Sequence, residues 1–203
     1  MIYAQTLKIF HCQSISLYRA KKKIRQWVDL EEKFVDMCVN SCEAFTGKKS
    51  EATSCSICKE NRYNIKRKPR KVAGYFPLIP RIRMQYKDRT RSKQLMYRAN
   101  YLNDPEKLGD IYDGELYKKI VNEGLLPDSR DIVFSISLDG YQIFRQQRDD
   151  CWVILVINHN LPPEVRVKKE NLLIVAVIPG PKQPKDFNSF LQPLVDELKL
   201  LKG

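Results

Sequence analysis

The chain has 203 residues, 43% of them hydrophobic and 30% charged, with 36 Lys and Arg against 24 Asp and Glu for a net charge of +12. That apolar content suits a packed core in one or two domains. No apolar run reaches the about 18 residues of a membrane span, and Met1–Phe10 lacks the basic front and small-residue cleavage site of a secretory signal, so no membrane role is expected and a reducing intracellular setting is.

Residues 1–35 read as a variable N-terminal segment, irregular to helical, with a basic run at Lys21–Arg25 and no motif. Residues 36–64 hold four of the six cysteines and form a second unit. Residues 65–128 read as a basic linker and helical region. Pro69, Pro77 and Pro80 predict an extended connector over 65–80. Leu95, Met96, Ala99 and Leu102 recur at helical spacing, and Asp104-Pro105 and Gly109 break that helix. A short helix over about 113–123 is expected to stop at Gly124, which suits a helix C-cap.

Residues 129–203 carry the strands. Ile132–Leu138 reads as a buried strand that ends on Asp139-Gly140, a common hairpin signal. Tyr141–Gln147 reads as the return strand, and a turn through Arg148–Asp150 leads to a third strand, Cys151–Asn158. After the loop forced by Leu161-Pro162-Pro163, the unbroken apolar run in Asn171–Ile178 predicts a strand buried on both faces. Pro179-Gly180-Pro181 ends it. Asp186 or Asn188 is placed to cap a last helix to about Leu201. Its stripe is Phe187, Phe190, Leu191, Leu194, Val195, Leu198 and Leu201, with a bend expected at Pro193. Strands followed by a helix that covers a sheet face imply a mixed α/β layer.

The positive charge is local. Lys59–Arg98 carries 14 Lys and Arg against Glu60 and Asp88, and the rest of the chain is balanced. Such clustering is the electrostatic footprint of a nucleic-acid-binding surface, beside the plainer readings of a solvated face or a nuclear-import tract. Arg62, Lys66, Arg67, Lys68, Arg70, Lys71, Arg81 and Arg83 are the candidate DNA-binding residues. Tyr75, Phe76, Tyr86, Tyr97 and Tyr101 interleave the tract, where core packing is a commoner role than stacking on bases.

Cys38-x3-Cys42 and Cys55-x2-Cys58 are two close pairs separated by a loop. Each pair can grip one ion from a single turn, and four thiolates complete a tetrahedral zinc site with no open position. Zinc is therefore expected as a structural ion, with buried free thiols or a redox pair as the alternatives. His11 with Cys12 could substitute as ligands, but nothing pairs with them at suitable spacing, and Cys12 and Cys151 read as ordinary cysteines. His159 reads as a hydrogen-bonded loop residue, no Ser or Cys has a convincing base partner, and no Gly-rich phosphate loop is present. A small-molecule substrate is not expected.

Several blocks of the chain are more specific. Met37–Gly47 and Cys55–Tyr63, followed by Lys68-Pro69-Arg70-Lys71 and Tyr75–Arg81, resemble the cysteine-rich region of CACTA (En/Spm-type) DNA transposases. Asp110–Tyr117, Ser137–Phe144, Asn160–Pro163, Lys168–Glu170, Ile178–Pro181 and Phe190–Leu198 resemble that family's catalytic domain. The likeness covers roughly residues 35–203. It implies a ribonuclease-H-like fold, here the first half of a mixed sheet over 129–203. Beside it would stand the small cysteine-rich zinc-knuckle region and helical N-terminal segments. It also implies DNA as partner, the nucleus as location, and strand cleavage and transfer with magnesium or manganese. Asp139 matches the first of three metal-holding acids, at the end of the first strand. The Gly-Asp-Leu-Pro-like motif of the second acid and the third acid are not found. Two-metal chemistry needs several carboxylates. The resemblance therefore implies a truncated, catalytically incomplete transposase, completed if at all by a full-length copy or an oligomer. The alternative is a non-catalytic, zinc-stabilised basic DNA-binding protein of transposon origin.

Overall fold

β-branched and aromatic residues in Cys151–Asn158 alternate between a packed face and a half-covered one, and this strand (β4) lies inside the sheet. The computed structural model describes residues 31–104, 106–141 and 150–201. The described residues from Glu32 onward form one compact unit. The expected helices and basic run of residues 1–30, and most of the return strand Tyr141–Gln147, lie outside the described residues.

The sheet has five strands: β1 (Lys33–Asp36), β2 (Val72–Tyr75), β3 (Phe134–Tyr141), β4 and β5 (Leu173–Pro179), in the order β1-β2-β5-β4-β3. Every pairing is antiparallel, so the α/β class holds while the expected mixed sheet becomes an antiparallel one among the described residues. The described residues also form six α-helices: α1 (Ile79–Lys87), α2 (Arg89–Gln94), α3 (Tyr97–Asn100), α4 (Glu115–Asn122), α5 (Pro163–Arg166) and α6 (Phe187–Lys199). None is long and apolar enough to cross a membrane.

α6 is capped as expected. The Asp186 carboxylate accepts the Ser189 N–H, and Pro193 lies inside the helix. Phe190 and Leu194 pack on Ile154, Val156, Leu173, Ala176 and Ile178 to form the core. The β4–β5 register slips between Ile154 and Leu155. Val175 is the extra residue of this bulge, so Val175 and Ala176 are both buried. The neighbouring Ile174 is 43% exposed. The apolar run of β5 therefore serves one covered face, not the two that were expected.

Two strands differ more. The expected connector over 65–80 contains β2, which joins β1 to β5. The strand expected at Ile132–Leu138 is β3, displaced to Phe134–Tyr141 and at the sheet edge. Asp139-Gly140 does not turn. Asp139 pairs with Val153 and Gly140 with Trp152. A Cβ on Gly140 would meet the Trp152 ring at 3.3 Å, so this glycine makes room for an indole across the strand, which in turn meets Phe187 edge-on. β3 is exposed along most of its length rather than buried.

α4 ends where predicted, with Gly124 at φ +70° and its N–H on the Val121 carbonyl. The helix expected within 81–102 is three short pieces, α1 to α3, the second capped by Asp88 accepting the Arg91 N–H at 2.6 Å.

Candidate metal centre and the cationic hairpin beside it

The loop between β1 and β2 carries all four clustered cysteines. Their sulfur atoms lie within 4.8 Å of one another, and Cys38, Cys42 and Cys55 are buried. Ligands held at 2.3 Å around a tetrahedral ion stand about 3.8 Å apart, so a small contraction of this cluster suffices to seat one. Backbone and amide N–H groups aim at the sulfurs. Asn40 donates its backbone N–H to Cys38 Sγ at 3.4 Å and its side-chain amide to Cys58 Sγ at 3.6 Å, and Cys58 N–H approaches Cys55 Sγ at 3.5 Å. Such donors favour thiolate over thiol. Ser41 and Lys59 take positive φ, 59° and 63°, at the two knuckles.

Ionisation within the cluster is uneven. Burial pushes the Cys38 and Cys42 thiols up, and Cys55 up to about 11. Burial also opposes ionisation of Cys58, but the Glu60 N–H, the Asn40 amide and the adjoining thiols outweigh it and hold this group at about 6. The donor set is soft, four-fold and pre-gathered, which fits a structural zinc ion and leaves no position open for substrate.

Sequence reasoning missed the residue that joins the two knuckles. Glu43, 1% exposed, accepts the Ser56 N–H and hydroxyl, each at 2.6 Å, and pairs with Lys49 at 2.5 Å. Burial alone would raise its pKa; Lys49 and Ser56 outweigh burial and hold it at about 2. Lys49 also pairs with Asp186 at 2.8 Å. Lys185 and Asp186 N–H groups donate to the Cys42 carbonyl, and Ala44 N–H donates to Ser189 Oγ. The cluster is thus docked on the N-terminus of α6. An acidic residue directly after a paired cysteine was the only sequence signal for Glu43.

A hairpin leaves the second knuckle. Ser54 bridges Asn61 and Tyr63 bridges Pro69. The turn is built on Asn64, whose carbonyl accepts the Arg67 N–H at 2.9 Å and whose side-chain oxygen accepts the N–H groups of Lys66 and Lys68 at 2.9 and 3.1 Å. Arg67 follows at φ 56°, the three-residue loop with a left-handed closing residue.

The eight candidate DNA-binding residues divide here. Lys66, Arg67 and Lys68 are exposed on the turn, and Arg83 is exposed on α1. Arg70 pairs with Glu60 at 2.6 Å. Arg62 pairs with Asp36 at 2.7 Å, donates to the Ser50 and Ala52 carbonyls, and stands 4.9 Å from the centroids of both the Phe45 and Tyr63 rings. Lys71 donates to Ser41 Oγ and the Gly180 carbonyl, and Arg81 to the carbonyls of Phe76, Pro77 and Ile174. These last three side chains brace the fold. The interleaved tyrosines also pack inward. Tyr75 is buried against Glu197, and Tyr97 and Tyr101 join Tyr112 and Tyr117 in an aromatic cluster.

Asp139 lies exposed on edge strand β3, on the sheet face opposite α6. Among the described residues, the four cysteines are the group of three or more potential metal donors, and Asp139 belongs to no such group. His159 is the loop residue expected. Arg166 donates to its Nδ1 at 2.9 Å, and its Nε2 meets Ser135 Oγ at 2.8 Å.

The family model described as Transposase family tnp2 matches residues 110–202. The match supports a transposase-derived chain. It spans β3, β4, β5 and α6 and excludes the cysteine loop and the hairpin. No curated protein and no solved structure matches the chain.

Proposed function

We propose that this chain is the DNA-binding part of a CACTA-like transposase, with a zinc ion clamping the cysteine loop and the basic hairpin presented to DNA. The observation that carries it is the four-thiol cluster. Its second knuckle leads directly into the cationic turn, and its first is bonded to the helix of the tnp2-like segment. The metal would act structurally, fixing the angle at which Lys66, Arg67 and Lys68 face phosphates.

β3, β4 and β5 form an antiparallel meander covered by α6, which fits the opening half of a ribonuclease-H-like sheet. In an intact relative Asp139 would hold magnesium or manganese from β3. Asp139 stands apart from other metal donors among the described residues, so binding and not cleavage is assigned to this chain, with strand transfer left to a complete transposase or an oligomer. A DNA partner makes the nucleus its place of action. The alternative, a transposon-derived binding protein with no catalytic partner, shares the zinc and hairpin chemistry.

The test is fluorescence anisotropy of a labelled duplex with the full chain, before and after zinc chelation, across a salt series. Binding should fall with log-log slope steeper than about −2 for three or more phosphate contacts, and chelation should weaken it. Absence of duplex binding, or a chain that holds no zinc, overturns the proposal.

A further inference from the structure

The tip of the hairpin carries an unexpected side chain. Ile65 is 99% exposed, the most exposed large apolar residue among the described ones. It occupies the first central position of the Asn64–Arg67 turn, next to Lys66, Arg67 and Lys68, all exposed. Isolated surface isoleucines are common, but this one is held out on a stiff mount. The Asn64 side chain fastens the turn with two bonds, the Tyr63–Pro69 bridge closes its neck, and Arg62 anchors the base to Asp36.

An apolar residue standing among cations on a rigid projection has the chemistry of a minor-groove wedge. Proteins that kink duplex DNA insert Ile, Leu, Met, Phe or Pro between base steps while basic residues hold the flanking phosphates. One isoleucine is too small for a protein-protein core, which needs a contiguous patch, and is a weak membrane anchor by itself. Three cations within three residues of it favour a polyanion that also offers an apolar slot, and stacked bases are such a slot.

We propose that Ile65 enters the minor groove of duplex DNA and partly unstacks one base step, with Lys66, Arg67 and Lys68 on the adjoining phosphates. This rests on the DNA-binding function proposed above and adds deformation of the duplex to it. Flexible pyrimidine–purine steps are the sites where the wedge enters most readily.

The experiment uses the zinc-loaded full chain and a short duplex with a central TA step. The duplex carries end dyes for energy transfer and 2-aminopurine at the step. The wild type should bend the duplex by at least about 20° and raise the 2-aminopurine fluorescence. Ile65→Ala should abolish both signals while affinity falls no more than about tenfold, because the phosphate contacts remain. Ile65→Phe, another wedge residue, should keep them. Replacing Lys66, Arg67 and Lys68 by Gln should lower the salt slope by about three. Binding without bending by the wild type, or an unchanged bend in Ile65→Ala, overturns the wedge and leaves DNA binding standing. No duplex binding overturns both. Binding to anionic vesicles that Ile65→Ala abolishes, with an unbent duplex, assigns the tip to lipid and likewise overturns the wedge.

Discussion

Glu43 and Ser56 fasten the two cysteine pairs to each other. The carboxylate takes both the backbone N–H and the hydroxyl of Ser56 at 2.6 Å. Glu43 directly follows Cys42, and Ser56 directly follows Cys55, so their bond sets the approach of one pair to the other before any metal arrives. Glu43→Ala removes the acceptor and leaves a partly buried N–H, hydroxyl and ammonium short of a partner. The expected loss is about 3 kcal/mol, read by urea unfolding of the zinc-loaded chain. A variant as stable as the wild type would show that the cluster is held by the metal alone.

Metal uptake should release protons in a defined number. Three of the thiols are pushed up by burial, whereas Cys58 is held at about 6 by its N–H donors despite burial. At pH 7.5 the metal-free cluster therefore carries one thiolate. Thiols must lose their protons to bind zinc, so about three protons should leave per ion. Calorimetric titration in buffers of different ionisation enthalpy counts them. Release of one proton or none would mean that the four sulfurs do not bind as a set.

Arg166 lies between Asp110 and His159, with both guanidinium Nη atoms on the carboxylate, the closer at 2.5 Å, and Nη1 also on the imidazole Nδ1 at 2.9 Å. Arginine only donates, so Nδ1 accepts and Nε2 carries the proton toward Ser135 Oγ. This imidazole cannot take a proton from Ser135, which disposes of a nucleophile–base pair there. Burial, then Arg166, lowers the His159 pKa below its ordinary 6.5. The unfolded chain protonates first, so this contribution is complete above about pH 6.5 and is lost as pH falls below it. His159→Gln should flatten the fall in Tm between about pH 6.5 and 5. An equal fall in both proteins would locate the acid sensitivity elsewhere.

Much of this was legible from residues. The apolar runs of β4 and β5, the stripe and cap of α6, and the gathering of the paired cysteines can each be read within a short window, because burial and clustering act on neighbours in sequence. β1 and β2 did not. Each has four residues, too few for a period of two to register, and each is a strand only because the other strands supply partners. Asp139-Gly140 reads as a turn by composition, yet Gly140 answers to Trp152 across the sheet. The basic tract gave the charge but not its use. Whether a guanidinium meets phosphate or a carbonyl depends on what lies across from it, and Asp36 is 26 positions from Arg62.

Glu197 was unremarkable in the sequence, and in the fold it ties α6 to α1. Its oxygens accept the N–H groups of Leu78 and Ile79 at 2.8 and 2.7 Å and the Tyr75 hydroxyl. A carboxylate at a helix N-terminus satisfies unpaired N–H donors and complements the helix dipole. Glu197→Ala should cost about 2–3 kcal/mol, more than loss of one exposed cap, because the Tyr75 hydroxyl is left without its acceptor. Chemical denaturation measures it, and a change under about 0.5 kcal/mol would place this residue with the ordinary surface positions.

Arg62 and Lys68 lie six positions apart and should fail in opposite ways. Arg62 is committed to Asp36, two carbonyls and two aromatic rings. Arg62→Met should cost about 3 kcal/mol of stability by stranding Asp36. Its duplex affinity should drop through a loosened hairpin, with the salt slope unchanged, since no phosphate contact was its own. Lys68 is exposed on the turn. Lys68→Gln should keep stability within about 0.5 kcal/mol and reduce the salt slope by about one. Parallel denaturation and salt-series binding separate the two outcomes. If Arg62→Met instead lowered the slope and left stability intact, its guanidinium would be a phosphate ligand after all, and the strut that holds the hairpin would have to be sought among its other contacts.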